Sequence, residues 1–89
     1  MNRKLLEILA CPIDKHFPLE LVELASKGEI VSEGVIFCSK CSRFYPIVEE
    51  IPIMLPDELR DKIKDIEFLK KYQNTLPEKI VTKGSPWHL

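Results

Sequence analysis

Cys38-Ser39-Lys40-Cys41 carries two thiols at the spacing from which a tight knuckle can aim both sulfurs, with nearby backbone N–H groups, at one tetrahedral cation. That is half of a zinc site. Cys11 is the third cysteine, and a matching Cys-x-x-Cys would need a thiol at position 14, where Asp14 stands. Zinc also accepts carboxylate and imidazole, so Asp14 or His16 is a candidate fourth ligand beside Cys11, Cys38 and Cys41. Two other readings stay open: small buried apolar cysteines with no metal, or a Cys38–Cys41 redox pair. The redox reading lacks the helix N-terminus that would lower a thiol pKa beside Cys38. A third reading, an electron carrier with iron on four thiolates, is disfavoured by a chain that holds three cysteines, and a visible-absorption spectrum would test it.

These residues need a small α+β frame to position them. Asn2 to Ala10, apolar at Leu5, Leu6, Ile8 and Leu9, reads as a short helix stopped at Cys11-Pro12. Alternation from Phe17 to Leu24 predicts a strand, and Ser26-Lys27-Gly28 a turn. Glu29 to Cys38 reads as extended with an interruption at Glu33-Gly34, and β-rich runs follow at Arg43 to Val48 and Ile51 to Leu55. Together they predict a small antiparallel sheet with the Cys-x-x-Cys between strands. After Pro56, Asp57-Glu58 and Lys70-Lys71 bracket a helix as its macrodipole favours. Its stripe Leu59, Ile63, Ile66, Leu69 and Tyr72 drifts round the axis, with Phe68 pointing elsewhere, and its basic residues are expected to form a solvated face. The tail from Leu76, with Pro77, Gly84 and Pro86, reads as extended, with Ile80 and Val81 as strand or docking residues and Trp87 as an anchor or a partner contact.

The 89 residues suit one compact core, organised as 1–56 with 57–89 packing on it. A net charge of −1 offers no long-range attraction for phosphate, which disfavours tight, direct binding of nucleic acid. No apolar run approaches the roughly 20 residues of a membrane span, and Glu7 spoils the likeness of the start to a signal peptide. A cytoplasmic location is expected. No phosphate loop or cofactor fingerprint is present, and no catalytic set that so short a chain could shape into a cleft.

Taken in order, Lys4-Leu5-Leu6-Glu7-Ile8-Leu9-Ala10-Cys11-Pro12, Phe17-Pro18-Leu19, Cys38-x-x-Cys41-x-x-x-Tyr45-Pro46-Ile47 and Ile51-Pro52-x-Met54-Leu55 resemble the multifunctional methyltransferase activator subunits of eukaryotes and archaea and their short bacterial relatives. The likeness covers about residues 1 to 56, and with its extension the chain looks like an archaeal-type member. It implies a zinc-ribbon-type sheet against the N-terminal helix. It also implies a non-catalytic, stabilising partner, forming heterodimers with class I-type S-adenosylmethionine-dependent methyltransferases that act on tRNA, rRNA or a translation release factor. RNA would be met only through the partner, with Lys15, Lys40 and Arg43 as candidates for weak contact. Mapped the same way, Ile51, Pro52, Ile53, Met54 and Leu55 would pair with a partner strand, and Leu5, Leu6, Ile8 and Leu9 would lie at or beneath the same surface. Asp14 departs from the family's cysteine and leaves zinc open, and a helical insertion of larger members is absent. The alternative is a free-standing zinc ribbon that binds RNA or the ribosome, whose binding would be salt-sensitive.

Overall fold

The computed structural model describes residues 1–13, 15–16, 19–85 and 87–89, the side chain of Glu7 aside. Four strands, β1 (Glu20–Lys27), β2 (Ile30–Phe37), β3 (Phe44–Val48) and β4 (Ile51–Pro52), form one antiparallel meander in that order. The β1–β2 turn falls at Gly28-Glu29, one step later than expected, because Ser26 and Lys27 still pair with Val31 and Ile30. Gly28 takes φ +58° there, a value that glycine adopts at no steric cost.

The interruption expected at Glu33-Gly34 is a slip of register instead. Glu23 pairs with Gly34 and Ala25 with Glu33, which leaves Leu24 extra in β1; Ser26 then pairs with Val31, so Ser32 is an extra residue in β2. The slip explains why Val31 and Ile36 share one face while Val35 and Phe37 take the other. Gly34 is needed close by, since a Cβ would sit 2.6 Å from the Val22 carbonyl oxygen.

Both sheet faces are covered. On one, Val31, Ile36, Cys38, Tyr45 and Ile47 pack with Met1, Cys11 and Leu19, and Leu6, Leu9 and Met54 lean on them. The N-terminal element is a 3₁₀ helix, Arg3–Glu7, capped by the Asn2 side chain on Lys4 N, rather than a longer α-helix. On the other face, Val35, Phe37 and Phe44 meet Leu69, Leu76, Ile80 and Val81 of the C-terminal extension. Each fully buried aliphatic or aromatic side chain contributes about 1.5–3 kcal/mol of burial energy, so the extension is an integral part of the core.

The expected C-terminal helix is split. A 3₁₀ turn, Asp57–Leu59, ends at Arg60, and α1 (Lys62–Tyr72) restarts with the Asp61 side chain capping Lys64 N. Arg60 is buried, against the expectation of a solvated face: its guanidinium lies over the Phe44 and Tyr45 rings and its Nε donates to Asp65 Oδ2 at 3.0 Å. Its Nη2 is 2.9 Å from the same oxygen, an ion-pair contact without hydrogen-bond geometry. The splitting also redirects the stripe: Leu69, Ile66, Phe68 and Tyr72 meet the core, while Leu59 and Ile63 face solvent. The tail is not extended throughout, for Glu78–Val81 forms one helical turn, α2, that buries Ile80 and Val81. Trp87 anchors it through Nε1 to Asp65 Oδ2 at 3.1 Å, and burial raises the Asp65 carboxyl above its ordinary range.

Candidate functional site: a thiol cluster and an apolar sheet edge

Two loops with one backbone frame carry the thiols. In the first, Lys15 N donates to Cys11 O at 2.8 Å and Cys11 N to His16 O at 3.0 Å; in the second, Ser42 N donates to Cys38 O at 2.8 Å and Cys38 N to Arg43 O at 2.9 Å. Lys15 and Ser42 share a left-handed backbone, φ 60° and 62°. The match sets Cys11 against Cys38 and chain position 14 against Cys41.

The sulfurs of Cys11, Cys38 and Cys41 all lie within 4.8 Å of one another, the first two buried. Cys11 Sγ is 3.7 Å from Cys41 Sγ. Tetrahedral zinc with sulfurs at about 2.3 Å separates its ligand atoms by about 3.8 Å, so donor type and spacing fit the ion. Burial pushes the Cys38 thiol up to about 12. Among the described residues the donor cluster consists of these cysteines. His16 Nε2 lies 3.5 Å from Ser39 Oγ, on the second loop. Asp14 lies outside the described residues, as do Phe17 and Pro18 of the Phe-Pro-Leu segment.

Residue types alone did not single out three neighbours. Tyr45 Oη stands 3.2 Å from Cys11 Sγ, and burial, with that contact, raises its pKa. Arg43 is paired within the chain: its Nε and Nη2 donate to Asp57 Oδ1 and Oδ2 at 2.9 and 2.8 Å. Ser85 N donates to Ser42 O at 2.8 Å and Ser85 O accepts from Phe44 N at 3.0 Å, so the tail extends the sheet beside the second loop. Phe44 and Tyr45 fall in the β-rich run Arg43 to Val48, whereas the Arg43–Asp57 and Ser85 contacts join distant parts of the chain and leave no local signal.

The sheet ends in two unlike edges. Edge strand β1 carries Glu20, Glu23 and Lys27 and an irregular register, devices that discourage pairing. At the other edge, β4 is followed by Ile53, whose N donates to Pro46 O at 2.9 Å, and by Met54 and Leu55. Ile51 is 61% exposed. Met54 leans on the cysteine-side core, while Ile53 and Leu55 line a groove on the opposite side. Of the N-terminal residues, Leu5 and Ile8 are exposed and Leu6 and Leu9 half-buried.

A four-stranded meander with paired thiol loops is a small zinc-ribbon-type protein. The model of the Trm112p-like protein family matches residues 2–50, and the chain belongs to that family. It is 47% identical over 60 residues to a UPF0434 protein of Rhodopseudomonas palustris strain BisB5, covering 67% of this chain and 78% of that one. It is 45% identical over 65 residues to one of Pseudomonas putida strain F1, covering 73% and 92%. Among solved structures it is similar to a chain from a complex between the Haloferax volcanii Trm112 methyltransferase activator and a protein described as a methyltransferase. There the TM-score is 0.64 at 35% identity, over 67% of this chain and 100% of that one. No helix among the described residues is long and apolar enough to cross a membrane.

Proposed function

We propose that the chain is a non-catalytic activating and stabilising subunit of S-adenosylmethionine-dependent methyltransferases, which it joins as a heterodimer through the β4 edge. The observation that carries the reading is the contrast of edges: β1 is charged and irregular, while Ile51–Leu55 is apolar and uncharged, which in water invites a further strand. Exposed Leu5 and Ile8 extend the apolar surface. The match to an activator taken from a complex supports the same partner class. By family likeness the substrates are tRNA, rRNA or a translation release factor in the cytoplasm, with RNA met through the partner.

Activation in this reading is a population shift. The bound subunit favours the partner's competent conformer, so substrate and cofactor no longer have to order it. It also covers apolar surface that would otherwise drive aggregation. Zinc, held by Cys11, Cys38 and Cys41 with Asp14 or His16 as fourth ligand, would cross-link the two loops and do no chemistry on the substrate.

Tagged chain recovered from its native cytoplasm should bring down methyltransferases in stoichiometric amount, and Ile53→Asp should lose them. Recovery of ribosomes or RNA without a methyltransferase would overturn the reading in favour of an RNA-binding zinc ribbon.

A further inference from the structure

Between the β4 edge and the C-terminal extension runs a groove of about 310 Å³, with Ile53 and Leu55 on one wall, Leu59, Lys64 and Phe68 on the other, and Pro46 and Val48 at its base. We propose that this groove is a second half of the docking surface, and that it takes alternate side chains of an extended apolar segment of the methyltransferase lying along Ile51–Leu55. The inference rests on the function proposed above and adds to it a wall that selects the partner.

Continuity is the first argument. Ile53 and Leu55 form the groove wall and follow directly on β4, the terminal strand of the sheet. A strand laid on that edge points successive side chains to opposite faces of the sheet. One set then falls into the groove against Leu59 and Phe68, and the other falls on the face of Met54 and the N-terminal helix.

Charge is the second. The acids at the groove are already engaged: Asp61 accepts from Lys64 N at 3.1 Å, and Asp65 holds Arg60 and Trp87. Lys64 is the other charged residue of the lining, and Pro46, Val48, Ile53, Leu55, Leu59 and Phe68 make the rest of it apolar. Leu59, 64% exposed at its mouth, gains burial only from something laid beside it.

The third argument concerns which part of the chain builds the wall. The family match ends at residue 50, and about a third of this chain lies outside the structural match. Leu59 and Phe68 belong to the extension, so the groove can distinguish methyltransferases that the shared ribbon alone would not.

Calorimetric titration against the methyltransferase recovered with the wild-type chain tests this. Leu59→Glu should weaken binding at least tenfold and Leu59→Met should restore it, while Ile63→Glu, outside the groove and 73% exposed, should stay within twofold of wild type. Leu59 and Ile63 are exposed, so both variants keep the fold, as near-ultraviolet circular dichroism would check. Unchanged affinity in Leu59→Glu, with binding abolished in Ile53→Asp, would overturn the groove and leave the edge reading intact. Wild-type affinity in Ile53→Asp would overturn the edge reading itself. Sedimentation showing a wild-type homodimer that Leu59→Glu dissociates would make a second copy the occupant and overturn the proposal.

Discussion

The loops at 11–16 and 38–43 have the same hydrogen bonds and the same left-handed residue, yet one offers a single cysteine and the other two. The knuckle frame thus does not require a full set of thiols; local backbone bonding builds it, and the side chains decide what it holds. Their supports differ as well. The second loop is tied to the C-terminal extension through Ser85 and through Arg43–Asp57, whereas the His16 side chain of the first meets Ser39 of the second. The extension therefore steadies the second knuckle directly.

Removing the extension's grip should break the equivalence most. Ile80 is fully buried, and Ile80→Ala should cost about 3 kcal/mol in chemical unfolding, the usual result of a cavity at a core isoleucine. Gly84, where a Cβ would lie 2.5 Å from Ile80 O, shows how closely tail and α2 are fitted. Amide exchange at Phe44, bonded to Ser85, should then accelerate more than at Cys11, bonded to His16. Equal acceleration would mean that the extension does not act on the second loop in particular.

Changing ligands comes next. Cys41→Asp makes the second loop a copy of the first and should lower zinc affinity by more than the roughly 10–100-fold that outer-shell changes cost. Asp14→Cys should raise it. Competition with a chromophoric chelator measures both, and identical affinities in all three proteins would remove metal from the account of this site.

Much of this was legible in the residues. Alternation from Phe17 to Leu24 and the β-rich runs at Glu29 to Cys38 and Arg43 to Val48 located three of the strands to within a few residues, with the Cys-x-x-Cys between the last two. That Asp14 stands where a second Cys-x-x-Cys would need a thiol was visible as spacing. The rest depended on pairings remote in the chain. Arg60 reads as a surface cation until Asp65, Phe44 and Tyr45 surround it. Ile80 and Val81 look like strand residues until Pro77 and the crowding beneath Phe44 fold them into a turn of helix. Only Ile51–Pro52 forms strand, because β3 offers its edge there and Ser85 takes the stretch beside Phe44.

A smaller effect tests the tie between the second loop and the extension. Arg43 holds the Asp57 carboxyl below the usual carboxylate range by hydrogen bonding. A carboxylate with a depressed folded pKa contributes stability that is present above its unfolded value, about 3.9, and lost as pH falls through the folded one. Asp57→Asn should therefore flatten the acid limb of the stability profile below about pH 4. The Asp57 side chain is 36% exposed, so screening keeps the change at neutral pH at or below about 1 kcal/mol. An unaltered acid limb would mean that Arg43–Asp57 is a contact without consequence.

The smallest effect bears most directly on the equivalence of the two frames. Lys15 and Ser42 both hold a left-handed backbone, which costs an L-residue roughly 1–2 kcal/mol, and glycine gives back roughly 0.5–1 kcal/mol of that through the entropy of the unfolded chain. Lys15→Gly and Ser42→Gly should each stabilise the protein by about 0.5 kcal/mol, equally, because the hydrogen bonds at these positions are made by backbone atoms that glycine keeps. A gain at Ser42 with a loss at Lys15 would show that the first loop draws on the lysine side chain and that the two frames coincide only in their hydrogen bonds.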